Sequence, residues 1–413
     1  MAGKSLQSIR GIHDGLPDEV RKWRRVESAA RRIFGTFACS EVRLPVLEPT
    51  ELFVRSIGEE TDIVSKEMYC FVDQGEDHIC LRPEGTAGAV RAYLQAGLTR
   101  SGAQRWFYIG PMFRRERPQK GRLRQFQQIG MELFGASGPI EDAEVLAMAQ
   151  AFLTELGIAG LRLEINSLGC PECRPGYRDR LVEYLNARAD RLCETCNDRI
   201  TKNPMRVLDC KVASCQAALT DAPEMVGHLC DACDVHFTGL KAGLDALAVP
   251  YQLNARIVRG LDYYNRTAFE FVTDQLGAQG TVLAGGRYDG LVESLGGPAT
   301  PAIGFAAGLE RLAMLLEDDE AAGIDVAVVA LGAESINYSL TQASGLRAAG
   351  LSVVHCGGGA AKRQFKMADR EAARFVAVIG GDEMAAGKVA LKNMASGEQQ
   401  TLTLAEVIRA VSA

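Results

Sequence analysis

The sequence lacks the features that mark membrane, exported and fibrous proteins. No apolar run in its 413 residues approaches the ~20 residues that span a bilayer. The first residues, MAGKSLQSIRGIHDGLPDEV, contain no apolar signal segment. There is no internal repeat, no low-complexity tract and no G-x-G-x-x-G after a first strand-like segment. With 47% hydrophobic and 24% charged residues, we expect a globular, cytoplasmic protein without a membrane partner.

The chain is acidic overall but has one strongly basic stretch. The net charge of −6 argues against non-specific nucleic-acid binding by the whole surface. Residues 113–128, FRRERPQKGRLRQFQQ, nevertheless hold six arginines and lysines. The apolar runs WFYIGPMF and IGMELFG on either side predict two strands joined by a cationic loop. Arginines on rigid strands can grip two phosphate oxygens at once, although a solvated basic hairpin fits the pattern too.

Eight of the twelve cysteines lie in four close pairs between residues 170 and 233. A thiol pair at short spacing can present two thiolates to one ion, and two pairs complete a tetrahedral site. We therefore predict structural zinc, with one site per group of four. The first predicted group is Cys170, Cys173, Cys193 and Cys196, and the second is Cys210, Cys215, Cys230 and Cys233. One site with four free thiols, or no site at all, remains open.

The remaining pattern predicts a mixed α and β body followed by a small α/β tail. Helices are predicted at residues 18–38 and 141–158, and strands at 42–53, 252–264, 267–274 and 281–292. Residues 78–94 predict a strand, a turn at Pro83-Glu84-Gly85 and a helix opened by Thr86. After an acidic linker, EDDEAAG at 317–323, the order β-α-β-α-β predicts a separate domain.

Five longer stretches resemble the signatures of bacterial histidyl-tRNA synthetases, which are class II aminoacyl-tRNA synthetases. They are LRPEGTAG at 81–88, FRRERPQKGRLRQFQQIGMELFG at 113–135, RGLDYYNRTAFE at 259–270, AGGRYDGL at 284–291 and GFAAGLERL at 304–312. The resemblance implies an α+β fold whose catalytic domain is an antiparallel sheet flanked by helices, formed by residues 1–165 and 250–320. It implies a helical, cysteine-rich insertion at 166–249 and a C-terminal α/β anticodon-binding domain at 324–413.

The implied activity is histidine–tRNA ligation in two steps. L-Histidine and ATP, with Mg²⁺, give histidyl-adenylate and pyrophosphate, and the histidyl group then passes to the 3′ end of histidine tRNA. The alternative is a non-catalytic regulatory subunit of histidine biosynthesis. The presence of Arg114, Arg259 and Arg311 and of the tail domain speaks against that alternative.

The resemblance also assigns site residues. Arg114 and Arg259 would flank the α-phosphate as the catalytic cations. The ATP-binding residues would be Arg114, Glu116, Phe126 and Arg311. The histidine-binding residues would be Glu84, Thr86, Arg114, Gln128, Glu132, Arg259, Tyr263 and Tyr264. In this assignment Glu132 and Tyr264 read the imidazole, whose N–H donors suit a carboxylate and a hydroxyl.

Contacts with tRNA and with a second subunit are implied as well. Gln119, in the loop of the second stretch, would read the acceptor end. Four basic residues of the tail could contact tRNA phosphates or form a solvated helix face: Lys362, Arg363, Lys366 and Arg374. Residues 46–73 resemble the class II motif that builds a homodimer interface.

Overall fold

The computed structural model describes residues 6–58, 61–119, 121–261, 263–277, 280–318 and 323–412. The chain divides into two compact units, Met1–Leu316 and Glu317–Ala413. The predicted linker at 317–323 begins where the second unit does, and its residues 319–322 lie outside the described residues. Asp262, within the stretch RGLDYYNRTAFE, also lies outside them.

An eight-stranded, mainly antiparallel sheet organises the first unit. Its strand order is β1-β5-β6-β11-β10-β9-β7-β8, and only the outer pairs β1–β5 and β7–β8 are parallel. The strands of this unit, including three that form a separate small sheet, are β1 (Ser40–Glu41), β2 (Leu47–Pro49), β3 (Tyr69–Val72), β4 (His78–Leu81), β5 (Gln104–Phe113), β6 (Gln125–Phe134), β7 (Arg162–Ser167), β8 (Gln252–Leu253), β9 (Asn265–Val272), β10 (Thr281–Arg287) and β11 (Ala302–Gly308). The predicted hairpin on either side of the cationic loop is therefore present as β5 and β6.

Helices cover the sheet and build the core of the unit. They are α1 (Pro17–Thr36), α2 (Thr50–Ile57), α3 (Thr86–Gln95), α4 (Pro139–Glu155), α5 (Arg174–Asn186), α6 (Glu194–Lys202), α7 (Ala213–Ala218), α8 (Asp231–Ala246), α9 (Leu291–Ser294) and α10 (Leu309–Ala313). Phe34 of α1 is fully buried, and its ring centroid lies 5.5, 5.2 and 5.7 Å from those of Phe107, Phe152 and Phe305. These contacts join α1 and α4 to the central strands through apolar burial.

Two strand predictions were wrong in part. The predicted strand at 42–53 ends at Pro49, and helix α2 begins at Thr50. Proline has no N–H to continue a strand ladder, and Leu52, Phe53, Ser56 and Ile57 are buried at helical spacing. The predicted strand at 252–264 has only two strand residues, β8, before an irregular loop.

Within the cysteine-rich segment, α5, α6 and α7 surround a core of their own, whereas α8 returns to the sheet. Phe237, Leu240 and Leu244 of α8 belong to the main core. Beside them, fully buried Asp142 of α4 accepts hydrogen bonds from Arg287 and Thr267, and its Oδ2 lies 2.8 Å from His236 Nε2. This buried ion network connects α4, α8, β9 and β10.

The second unit is a five-stranded sheet with helices. Its elements are β12 (Val326–Ala330), α11 (Ile336–Ala348), β13 (Val353–His355), α12 (Ala361–Arg370), β14 (Phe375–Ile379), α13 (Gly381–Ala385), β15 (Val389–Asn393), β16 (Gln399–Leu402) and α14 (Leu404–Ser412). The strand order is β13-β12-β14-β15-β16, parallel among the first three and antiparallel thereafter. The predicted β-α-β-α-β order is confirmed, and the last two strands were missed. In the part of the chain described, no helix combines the length and apolarity needed to cross a bilayer.

Candidate active site

A cavity of about 450 Å³ brings together most of the side chains that the sequence assigned to substrates. Ten of them line it: Glu84, Thr86, Arg114, Glu116, Phe126, Gln128, Arg259, Tyr263, Tyr264 and Arg311. Strand β6 explains part of this set, because alternate residues of a strand share one face. Phe126 and Gln128 therefore point to the cavity side. Glu132 follows on the same face but lies deeper, and neither it nor Gln119 lines the cavity.

The cavity contains several arginines, and contacts within the protein hold two of them in place. Arg114 donates from Nε to the carbonyl of Pro83 at 2.8 Å, and its guanidinium lies 5.4 Å from the centre of the Phe126 ring. Arg259 donates from Nη1 to Glu270 Oε1 at 2.9 Å and lies 5.0 Å from the Tyr264 ring centre. Burial lowers the pKa of Arg311 from its ordinary value. Rigidly held guanidinium groups around one cavity suit a phosphate-bearing ligand.

Glu132 forms a buried polar cluster beneath the cavity. Its Oε1 accepts hydrogen bonds from Thr86 Oγ1 at 2.7 Å and from the Tyr108 hydroxyl at 3.0 Å, and its Oε2 accepts one from the Tyr288 hydroxyl. Burial raises the pKa of Glu132 to about 8, despite the hydroxyl donors that favour the ionised form. Burial thus favours the neutral form of this carboxyl group.

A glycine in the neighbouring strand makes room for this carboxyl group. A Cβ at Gly304 would lie 1.9 Å from Glu132 Oε2 and 2.4 Å from the Met131 carbonyl oxygen. Only a residue without a side chain fits there. In the stretch AGGRYDGL, Ala284 lines the cavity, while Gly285 and Gly286 are packed against Gly304 and Thr267 instead.

Glu84 has a structural contact in addition to its predicted role. Its carboxylate accepts from the main-chain N–H groups of Thr86 at 2.7 Å and Ala87 at 2.9 Å, the first residues of α3. Such bonds satisfy donors at a helix N-terminus. Burial raises the pKa of Glu84, although these two N–H groups oppose the shift.

The polar atoms at the cavity that are buried without a hydrogen-bond partner in the described residues include Gln128 Oε1 and Arg259 Nε. Buried polar groups in folded proteins are nearly always paired. An acceptor and a donor that remain unpaired beside one cavity indicate a polar ligand that supplies the missing bonds.

The cationic loop is partly closed on itself. Arg122 donates from Nη1 to Glu116 Oε2 at 3.2 Å. Gln119 and Arg122 exchange main-chain hydrogen bonds of 3.1 and 2.9 Å, which places the exposed Gln119 at the outer end of the loop.

The sequence analysis missed Tyr108 and Tyr288, two of the three hydroxyl donors to Glu132. Tyr288 lies within AGGRYDGL, a stretch from which the sequence analysis assigned no side chain to the site. Tyr108 lies within WFYIGPMF, where it was counted as an apolar strand residue. Their function depends on neighbours far apart in sequence, so local patterns do not reveal it.

The predicted grouping of the cysteines was wrong. The structure groups Cys170 and Cys173 with Cys230 and Cys233, and Cys193 and Cys196 with Cys210 and Cys215. We call these the base cluster and the distal cluster. Helix α8 begins beside the turn that follows β7, so the first and last pairs of the segment meet. Within each cluster all ligand atoms lie within 4.8 Å of one another.

Comparisons with known proteins agree with this architecture. A family model described as histidyl-tRNA synthetase matches residues 11–312, and one described as anticodon binding domain matches residues 325–413. A histidine–tRNA ligase of Geobacter metallireducens is 50% identical over 402 residues, 97% of each chain. One of Anaeromyxobacter sp. strain K is 49% identical over 412 residues, covering 98% of this chain and 99% of the relative.

The solved structures extend the comparison to the fold. The apo histidyl-tRNA synthetase of S. aureus shares 33% identity and superposes with a TM-score of 0.81, covering 99% of this chain and 100% of the other. A histidyl-tRNA synthetase from Nostoc sp. PCC 7120, at 21% identity and 99% coverage of both chains, has a TM-score of 0.73 and supports the fold alone.

Proposed function

The chain belongs to the histidyl-tRNA synthetase family and ligates histidine to tRNA, and we propose that the arginine-lined cavity is where histidine is activated. The observation that carries the proposal is the position of Arg114, Arg259 and Arg311 around one cavity, above the buried Glu132 cluster. A regulatory protein that only binds histidine has no need of cations around a nucleotide's phosphates. The curated relatives at about half identity are histidine–tRNA ligases, which favours the catalytic reading.

In the proposed first step, a carboxylate oxygen of histidine attacks the α-phosphorus of ATP. A new C–O–P linkage forms, the bond to the β-phosphate oxygen breaks, and pyrophosphate leaves with that electron pair. Both reactants are anionic, so fixed cations lower the barrier mainly by electrostatic stabilisation. Arg114 and Arg259 are the residues we assign to the α-phosphate. Their contacts to Pro83 and Glu270 hold the side chains in place before substrate arrives.

We assign the nucleotide to Arg311, Glu116 and Phe126. Phe126 offers a ring for base stacking, and Glu116 offers an acceptor for the adenine amino group. Glu116 is engaged with Arg122 in the described structure, so adenine binding would replace that contact. Mg²⁺, which enters with ATP, supplies further neutralisation of phosphate charge.

Histidine selection is assigned to the deeper end of the cavity. Gln128, Tyr263 and Tyr264 line the cavity, and Glu132 accepts a hydrogen bond from Thr86. A site with buried polar groups strongly prefers a ligand side chain that can hydrogen-bond to them over one that cannot. The α-amino group is assigned to Glu84 and Thr86.

Transfer to tRNA follows in the proposed second step. Gln119, exposed at the outer end of the loop, is our candidate for the acceptor end. In the second unit, Lys362, Arg363, Lys366 and Arg374 are exposed, and Arg374 forms an ion pair with Asp325 at 3.0 Å. We propose that these cations face the tRNA backbone. A cytoplasmic location follows from the use of charged tRNA in translation.

We also propose a homodimer formed through the small sheet, whose order is β2-β4-β3. Large apolar side chains are exposed on it, with Leu47 at 48%, Phe71 at 45% and Val72 at 54%. Neighbouring exposed apolar residues mark interaction surfaces. Light scattering coupled to size-exclusion chromatography should give twice the chain mass, and a monomer at micromolar concentration would rule the dimer out.

Structural zinc is proposed for both cysteine clusters. Four thiolates 2.3 Å from a tetrahedral Zn²⁺ are separated by about 3.8 Å from one another. In the base cluster the Cys170–Cys173, Cys170–Cys230 and Cys173–Cys233 sulfur distances are 3.8, 3.7 and 3.9 Å. In the distal cluster the Cys193–Cys210 distance is 4.0 Å. The donor sets therefore fit the ion, and elemental analysis should find about two equivalents of zinc.

Pyrophosphate exchange into ATP tests the proposed activation step. The purified chain should exchange label only when histidine is supplied, and not with any other standard amino acid. Absence of histidine-dependent exchange by correctly folded protein would refute the assignment of the cavity.

A further inference from the structure

The base cluster lies directly beside the main chain that carries the substrate tyrosine Tyr264. Cys170 follows β7 closely, and β7 pairs with β9 up to Ser167 and Thr267. Beyond that point the main-chain hydrogen bonds continue into residues 168–170, which we call the cysteine turn. Leu168 N–H donates to the Arg266 carbonyl at 2.6 Å, and Arg266 N–H donates to the Gly169 carbonyl at 2.8 Å.

The turn is tightly packed against its surroundings. Gly169 has φ +65°, and a Cβ there would lie 2.2 Å from Met225 Cε and 2.8 Å from Cys173 Sγ. Cys170 N–H also donates to Cys173 Sγ at 3.2 Å. The position of this turn therefore depends directly on where the cysteine sulfurs are held.

Arg174 links the position of this turn to the proposed histidine pocket. It opens α5 immediately after Cys173, and its main-chain N–H donates to the Cys170 carbonyl at 3.0 Å. Its side chain donates from Nε to the Leu168 carbonyl at 3.1 Å and from Nη2 to the Tyr264 carbonyl at 2.6 Å. One guanidinium thus joins the cysteine turn to the residue whose ring lies 5.0 Å from the Arg259 guanidinium.

The segment that receives this support has little regular structure of its own. Between β8 and β9, residues 254–264 are irregular where described, and they carry Arg259, Tyr263 and Tyr264. Arg266, which follows, has the unfavourable φ of 48°. A segment without a hydrogen-bonded ladder keeps its geometry only through contacts with neighbouring elements.

We infer that a zinc ion in the base cluster is a positioning element for the histidine pocket, acting through Arg174 on the main chain of Tyr264. The inference rests on the proposed function of the cavity. We assign the distal cluster to the stability of the insertion instead, because Cys196 and Cys215 are buried in the core that α5, α6 and α7 surround.

Arg174→Met and Arg178→Met form a matched pair for the test. Both remove a guanidinium from α5, one helical turn apart, but Arg178 reaches only the Thr201 carbonyl, at 3.4 Å, in the described structure. Loss of a hydrogen bond from a charged group costs about ten- to hundredfold in an equilibrium. We expect Arg174→Met to raise the histidine KM in pyrophosphate exchange by at least about tenfold. The ATP KM should stay within about twofold, and Arg178→Met should change neither.

Cys230→Ser and Cys210→Ser test the metal itself. Each should lower the zinc content from about two equivalents to about one. Only Cys230→Ser, in the base cluster, should reproduce the histidine KM increase of Arg174→Met. If Cys230→Ser does not fold, the two arginine variants still test the link to Tyr264, and the zinc content of the wild type still tests whether the metal is present.

Three outcomes would overturn the inference. Wild-type protein that contains no zinc would contradict a role for the metal. Equal effects of Cys230→Ser and Cys210→Ser on the histidine KM would contradict the difference between the two clusters. Equal effects of Arg174→Met and Arg178→Met would contradict the link through Arg174 to Tyr264. Absence of histidine-dependent exchange in the wild type would instead refute the proposed function, so the two failures are distinguishable.

Discussion

Glu132→Gln should have opposite effects on stability and on histidine binding. The carboxyl group is fully buried, and burial raises its pKa from 4.5 to about 8. Glutamine keeps the shape and removes the ionisable group. An oxygen remains for Thr86 and Tyr108, while the new amide faces the Tyr288 hydroxyl.

The sign of the stability effect follows from proton binding. Between pH 4.5 and 8 the folded protein keeps a proton on Glu132 that the unfolded chain releases. The contribution of Glu132 to the free energy of unfolding therefore falls by about 1.4 kcal/mol for each pH unit in this window. The loss reaches about 3 kcal/mol at pH 7 and is complete above pH 8. Glutamine avoids it and gives up about 1 kcal/mol of hydrogen bonding. The variant should be the more stable protein at pH 8 and no more stable than wild type at pH 4.5.

Urea unfolding of both proteins at pH 5 and pH 8 measures this difference. Calorimetry then measures histidine and ATP binding, where we expect at least about tenfold weaker histidine and nearly unchanged ATP. Glu144→Gln, at an exposed carboxylate paired with Arg105, is the control and should show no pH-dependent difference. A stability difference that does not change with pH, or equal losses for both ligands, would refute the reasoning.

Three further changes test other parts of the site and its support. Arg259→Ala should slow histidine-dependent pyrophosphate exchange by about two to three orders of magnitude, whereas Arg256→Ala, an exposed arginine in the same loop, should not; a normal rate in Arg259→Ala would contradict its role. Gly304→Ala should bring a methyl group into contact with Glu132 and lower the histidine affinity more than the ATP affinity, which binding assays would measure. Unchanged histidine affinity would mean that β6 and β11 can move apart without disturbing the pocket. Asp142→Ala leaves buried Arg287 without its main partner and should lower the free energy of unfolding by about 3 to 5 kcal/mol; a loss under 1 kcal/mol in urea unfolding would contradict the importance of the buried network.

The assigned residues that meet at the cavity were found in one way. Arg114, Phe126 and Gln128 were assigned by resemblance to the family's second signature, and they meet at one cavity because Arg114 follows β5 while Phe126 and Gln128 alternate along the neighbouring β6. Arg259 and Arg311 were assigned by resemblance to family signatures, and the structure brings both to the same cavity. The family signatures therefore predicted which residues meet at the cavity, and the role of each residue there stays a prediction.

The errors arise where distant segments decide the outcome. The four cysteine pairs were grouped by their order along the chain, whereas the clusters form because α8 returns to the end of β7. Helix α2 was predicted as a strand because prolines and apolar residues in short runs suit either structure. The burial of its apolar face against neighbouring elements favours the helix, and those tertiary contacts cannot be read from the sequence.

The Glu132 cluster shows why a catalytic pocket needs more than its lining residues. A carboxyl group buried among Thr86, Tyr108 and Tyr288 lowers the stability of the folded state at neutral pH, because burial penalises its ionised form. The close approach that Gly304 permits between β6 and β11 makes this arrangement sterically feasible. Glutamine, a neutral side chain of the same size, should fold more stably at pH 8 and cannot take up or release a proton. The role that we propose for Glu132 in histidine selection would therefore come at a cost in folding stability near neutral pH.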